Sequence, residues 1–148
     1  MDFDFTDDQH ALRDAHSESF REALDEASKP VVDLIDRDPD LAILQVLRQE
    51  GNSHVQYGLN HAIHAAIVCR LVAQRLAWSE DESNRAFKAA LTMNLSMFEL
   101  QGVLAQQPGR PTEEQRKLIQ SHPSRSREML VQSGVTDKDW LQAVEQHH

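Results

Sequence analysis

The spacing of its apolar residues constrains this chain most, because they recur every three or four positions and not every second one. Leu12, Ala15, Phe20, Ala23, Leu24, Ala27 and Val31 trace one such stripe, with acids and other polar residues between them. That period is the mark of an amphipathic helix, and no run of similar length alternates as a strand does. Start and stop signals then divide the chain. Asp38-Pro39 supplies an N-cap followed by proline at the first helical position, and Leu41, Leu44, Val46 and Leu47 continue a short helix that closes near Gly51. Ser53 is placed to cap the next run, Val55 to Leu76, which is apolar enough to be the central core helix through Leu59, Ile63, Ala66, Ile67, Leu71 and Val72. Ser79 with Glu82, and Thr112 with Gln115, have the spacing of capping boxes. The stretch from Gln106 to Pro111 holds two prolines and a glycine and reads as a loop. His122-Pro123 reads as a further helix break, Gly134 as a C-cap, and Thr136 as the N-cap ahead of Trp140, Leu141 and Val144. The expected class is all-α, about seven helices in a compact bundle, with 1–37 an amphipathic segment packing on or preceding a core of 38–148.

Composition narrows what such a bundle can do. With 148 residues, 40% of them apolar, the chain can bury a real core. Its 24 acidic and 15 basic residues leave a formal charge of −9, which opposes the basic surface that duplex nucleic acid requires. No apolar stretch reaches the roughly 18 residues of a membrane span. The start, Met1-Asp2-Phe3-Asp4-Phe5, has neither the basic nor the apolar region of a secretory signal, so a cytoplasmic location without membrane contact is expected. The single cysteine, Cys69, has no partner within the chain for a disulfide and sits in an apolar run, where a thiol packs as a small hydrophobe.

Eight histidines are the chemistry-bearing feature. His10 and His16 fall on the polar side of the first helix. His61 and His64, three apart on the central helix, share a face that can offer two imidazoles to one metal, with His54 two turns away. His122 adjoins a proline. His147 and His148 are adjacent, and on a helix adjacent side chains point about 100° apart, suited to neighbouring ions more than to one.

Several segments form a sequence of their own. Asn60-His61-Ala62-Ile63 lies on a long helix, followed by Trp78-Ser79-Glu80-Asp81-Glu82 and then Lys88-Ala89-Ala90-Leu91. Gln107-Pro108-Gly109-Arg110-Pro111-Thr112-Glu113-Glu114 comes next, then Ser121-His122-Pro123 with Glu128-Met129-Leu130, and last Trp140 to the His147-His148 pair. In order and distance, from Pro39 to His148, this resembles the HD-domain superfamily of metal-dependent phosphohydrolases, in particular its HD-GYP branch of cyclic di-GMP phosphodiesterases. The resemblance implies an HD-domain-like helical fold. It also matches Met93 to the family's signature His, Asn94 to its Asp, Ser96 to its Gly and Met97 to its Lys. Arg125 or Ser126 stands near a family glycine, an acidic ligand of the family falls at Tyr57, and the residues that would match Gly-Tyr-Pro lie after His148.

What the resemblance implies about chemistry follows from those replacements. The family's Asp bridges two divalent ions so that a metal-bound hydroxide can attack a phosphodiester. Asn94 offers one neutral carbonyl oxygen and Met93 a soft thioether, so neither position carries a catalytic role over. His61, His122, His147 and His148 remain by carry-over, enough for no metal or one residual divalent ion, Zn, Mn or Fe. The expected function is a catalytically inactive module that binds a protein partner or a second copy of itself in signalling. The alternative is a phosphodiesterase that acts on a cyclic dinucleotide through a rearranged His-rich site, with Arg110, Arg125 and Arg127 as cations for the ligand. Met93, Leu95, Met97 and Phe98 either form a partner-docking surface or fill the vacated site.

Overall fold

The computed structural model describes the backbone of residues 7–48 and 54–148 and the side chains of residues 18–48 and 57–148. Its elements are α1 (Asp7–Arg37), α2 (Pro39–Leu47), α3 (His54–Arg75), α4 (Glu80–Thr92), a single 3-10 turn (Leu95–Met97), α5 (Phe98–Gln106), α6 (Glu113–Gln132) and α7 (Lys138–Glu145). There is no strand among the described residues, so the all-α class expected from the apolar period is what the chain adopts.

Local signals set most of the boundaries. The Asp38 carboxylate accepts the Leu41 N–H at 3.0 Å, with Pro39 in the first turn of α2. At the start of α4 the Ser79 hydroxyl accepts the Glu82 N–H at 3.3 Å while the Glu82 carboxylate accepts the Ser79 N–H at 2.9 Å. Thr112 and Gln115 repeat the exchange at 3.2 and 2.8 Å for α6. In both boxes two helix-end donors that would otherwise lack partners are satisfied together. Gly134 takes the left-handed conformation (φ 80°) that ends α6, and the Val135 N–H reaches back to the Leu130 carbonyl at 2.9 Å. The cap of α7 is Asp137 and not Thr136. Its carboxylate accepts the Trp140 N–H at 3.0 Å and also receives Arg85 at 2.9 Å, so one residue both caps a helix and ties α7 to α4. Gly51 and Ser53 lie outside the described residues.

Two prolines sit inside helices. α1 continues through Pro30 to Arg37, because the turns beyond the proline carry Ile35 into a core shared with Ala66, Ile67 and Phe87. The break expected at His122-Pro123 is likewise absent, since α6 runs on to Gln132.

The core lies on two sides of α4. Phe87 and Ala90 face Ile35, Ala42, Ala66 and Ile67, whereas Ala89 faces Leu130, Val135, Trp140, Leu141 and Val144. α3 was expected to bury Leu59 and Val72, yet both are exposed, together with Val68 and Leu76. Apart from Ile67 and Arg70, its buried residues are small: Gly58, Ala62, Ala66 and Ala73. The physical reason is close backbone approach. A Cβ at Gly58 would lie 2.6 Å from the Phe98 carbonyl oxygen, so α3 and α5 meet backbone to backbone.

One charged side chain is enclosed in this packing. Arg70 of α3 is 0% exposed. Its guanidinium donates to Asp36 of α1 at 2.8–3.1 Å, to Glu80 of α4 at 2.8 Å and to Asn84 at 2.8 Å. This fork joins three helices at one point. No described helix is long and apolar enough to cross a membrane.

Candidate metal centre

α6 presents His122, 2% exposed, toward the end of α7. Pro123 explains its orientation. A residue at that position normally gives its N–H to the carbonyl four residues back, that of Ile119, and proline has no N–H to give. The His122 Nδ1–H donates to the Ile119 carbonyl instead. A carbonyl can only accept, so Nδ1 carries the proton and the neutral ring presents a bare lone pair at Nε2.

The same arrangement recurs on the other side. α7 ends at Glu145, and the next residues leave the helix. His147 Nδ1 donates to the Val144 carbonyl at 2.8 Å, which again leaves Nε2 as the unprotonated nitrogen. His122 Nε2 lies 3.1 Å from His147 Nε2 and 3.2 Å from His148 Nε2. The rings of His147 and His148 meet His122 edge-on at 66° and 84°, while they lie 4.2 Å apart and tilted by 38° to each other. The expected divergence of the adjacent histidines is corrected: past the end of α7 the helical 100° offset no longer applies, and both imidazoles turn toward His122.

Electrostatics sharpen the geometry. Burial pushes the His122 and His147 pKa values below the ordinary histidine range, and repulsion from the neighbouring imidazoles adds to it. The carbonyl hydrogen bonds act in the opposite direction without reversing the shift. Two lone pairs thus face each other across 3.1 Å at sites that resist a proton. Such an array suits a small divalent cation. Zinc–nitrogen arms of about 2.0–2.1 Å set tetrahedrally separate the nitrogens by about 3.3 Å, close to what the trio shows. The buried His122 and the half-buried His147 each have the carbonyl partner that fixes a ligand's tautomer and orientation.

The three ligand atoms of His122, His147 and His148 lie mutually within 4.8 Å, and no other described residues form such a group. His61, expected to join them, does not. It is exposed on α3, beside a half-buried His64 whose pKa is lowered first by burial and then by His61. The side chains of His10, His16 and His54 lie outside the described residues. No carboxylate belongs to the trio, since the nearby Glu145 pairs with Arg127 at 3.3 Å, tying α7 to α6. Arg110 and Arg125 are exposed.

The segment matched to the family signature packs directly on this site. Met93 is half-buried at the end of α4, Asn94 is buried just before the 3-10 turn, and Met97 is buried at the end of that turn. The Ser96 hydroxyl donates to the His122 carbonyl at 3.1 Å, the Ser126 hydroxyl donates to Ser96 Oγ at 3.1 Å, and the Ser96 N–H reaches Ser126 Oγ at 3.2 Å. Leu95 packs against the α4/α6/α7 core, and Met97 is buried while Met93 and Phe98 are half-buried. Sequence reasoning missed Ser96 and Ser126 as a lock on the His122 turn. The legible signal was the His-Pro dipeptide, read as a break where it frees a carbonyl. Compared with protein-family models, with curated proteins and with solved structures, the chain finds no match in any of the three.

Proposed function

We propose that this chain is a degenerate HD-GYP-like domain that holds one divalent ion, best Zn²⁺, through His122, His147 and His148, and that it works as a metal-dependent binding or regulatory module, not as a phosphodiesterase. The carrying observation is the pair of Nε2 lone pairs facing each other at 3.1 Å, both with Nδ1 committed to a backbone carbonyl. A bound ion supplies positive charge and a Lewis-acidic coordination position. The protein's own residues join two elements at that point, α6 through His122 and the segment after α7 through the His pair, so occupancy couples their relative placement to metal availability. The absence of a carboxylate from the trio and the presence of Asn94 and Met93 at the matched signature positions support one ion over a bridged pair.

The test is metal stoichiometry by elemental analysis and titration calorimetry on untagged protein, with Zn²⁺, Mn²⁺ and Fe²⁺ in turn. One Zn²⁺ per chain, lost in His122→Ala and unaffected in His61→Ala, is the expected result. Cyclic di-GMP should show no turnover under the same conditions. The double variant Met93→His with Asn94→Asp should then gain a second ion. No bound metal would overturn the site, and two ions per wild-type chain with cyclic di-GMP hydrolysis would overturn the inactive reading.

A further inference from the structure

A second feature, which contains none of the histidines, lies among α1, α3, α4 and α5. A partly open groove of about 240 Å³ is lined by Phe20 and Leu24 of α1, Ile63 and the exposed Leu59 of α3, Phe87 of α4 and Phe98 of α5, with almost no polar surface. It is larger than the apolar cavities of about 150 Å³ that stay dry and take up benzene. Two hydroxyls line it, and they differ. Thr92 is satisfied, since its Oγ1 donates to the Lys88 carbonyl at 2.6 Å and accepts the Trp140 indole N–H at 2.9 Å. Ser28, only 6% exposed, has no hydrogen-bond partner at all.

A buried hydroxyl without a partner is costly, and a helical serine normally relieves that cost on the carbonyl one turn back, as Thr92 does. Ser28 does not. The wall itself offers a water molecule one free hydroxyl against the two to four polar partners it prefers, so water gains little there over bulk solvent. The complementary occupant is apolar over nearly its whole surface, carries one hydrogen-bonding group, and is flat enough to sit among three phenylalanine rings. We infer that the groove between α1 and α4 is a binding site for a neutral, single-ring aromatic molecule bearing one hydroxyl or carbonyl, with its polar group on Ser28 Oγ and its ring among Phe20, Phe87 and Phe98. The ring contacts gain from edge-to-face geometry, and the single polar contact sets orientation.

Phenol and toluene serve as matched probes, equal in shape and different by the hydroxyl. Binding to the full chain is followed by calorimetry and by chemical-shift changes of the lining methyl groups. Wild-type protein should bind phenol roughly five- to tenfold more tightly than toluene, the worth of one net hydrogen bond. Ser28→Ala should fold at least as stably, keep toluene affinity and lose that preference. Ala27→Phe, which adds a ring at the exposed rim of the groove, should weaken both while the metal trio is untouched. Absence of binding by both probes, shift changes away from the lining residues, or a phenol preference that survives Ser28→Ala would each overturn the inference.

Discussion

Replacing Pro123 with alanine should move stability and metal affinity in opposite directions. Proline inside a helix costs about 3 kcal/mol relative to alanine, through one lost backbone bond and a clash with the carbonyl four residues back. α6 continues past the proline and its Leu130 is fully buried, so the surrounding packing already holds the helix in place. The gain on substitution should therefore be the greater part of that figure, about 1–3 kcal/mol by urea denaturation of the metal-free protein. The same change restores an N–H aimed at the Ile119 carbonyl, which His122 Nδ1 now uses. With that acceptor shared, the imidazole is held less firmly in its tautomer and direction. Weakening such an outer partner typically costs a metal site 10- to 100-fold. Because the Ile119 carbonyl retains a second lone pair, the low end applies, about tenfold weaker Zn²⁺ binding by calorimetry. His122→Ala supplies the floor for the comparison. A Pro123→Ala variant that is more stable and binds Zn²⁺ as tightly as the wild type would refute the claim that proline orients this ligand.

Further outcomes follow from particular contacts. Asp36→Ala should destabilise by about 2–4 kcal/mol, because it leaves a fully buried guanidinium with the largely exposed Glu80 as its one remaining carboxylate. Arg70→Met should cost less in urea denaturation, since Asp36 and Glu80, 44% and 67% exposed, can hydrate once the cation is gone; the reverse ranking would sink the argument. Gly58→Ala should lower stability by about 1–2 kcal/mol despite alanine's better helix propensity, because the new Cβ meets the Phe98 backbone and not a movable side chain. Ala77→Gly should raise it by about 0.5–1 kcal/mol, because Ala77 holds a left-handed φ of 55° just past α3, and an unchanged melting temperature would count against strain there. Without metal, stability should hold level above about pH 6.5 and fall below it. His122 and His147 have lowered folded pKa values, so the unfolded chain takes up protons first as pH drops, by up to one proton for each; a fall that persists undiminished in the His122→Ala, His147→Ala double variant would assign it elsewhere.

What could be read in the sequence was what short-range chemistry decides. Asp38 ahead of Pro39, the two capping boxes and Gly134 are satisfied within three to five residues of themselves, and each acts where its spacing placed it. Pro30 and Pro123 are equally local signals, yet packing overrides them, because Ile35 and Leu130 lie beyond the prolines in the two halves of the core. The inward face of α3 illustrates a different gap. Hydropathy favours Leu59 and Val72 for the interior, but the close approach of α5 requires a glycine at Gly58, a preference that exists only once the second helix is in place. Arg70 was invisible for the same reason: its partners come from α1 and α4, and nothing in its own neighbourhood announces a buried cation.

The histidine trio shows how one substitution of backbone chemistry can prepare a distant site. His122 and the His147-His148 pair were legible as candidates, while their convergence was not, because it depends on α7 stopping at Glu145. Had the helix continued through His148, the two rings would have diverged by its turn angle and only one could have faced α6. The stop sets His147 on the Val144 carbonyl, just as the proline sets His122 on that of Ile119. Two carbonyls released by helix irregularities thus fix two tautomers, and both unprotonated nitrogens end on the same point. A site assembled in this way needs no carboxylate to orient its rings. That is why the proposed single ion does not depend on the positions matched to a bridging acid and its neighbour, Asn94 and Met93.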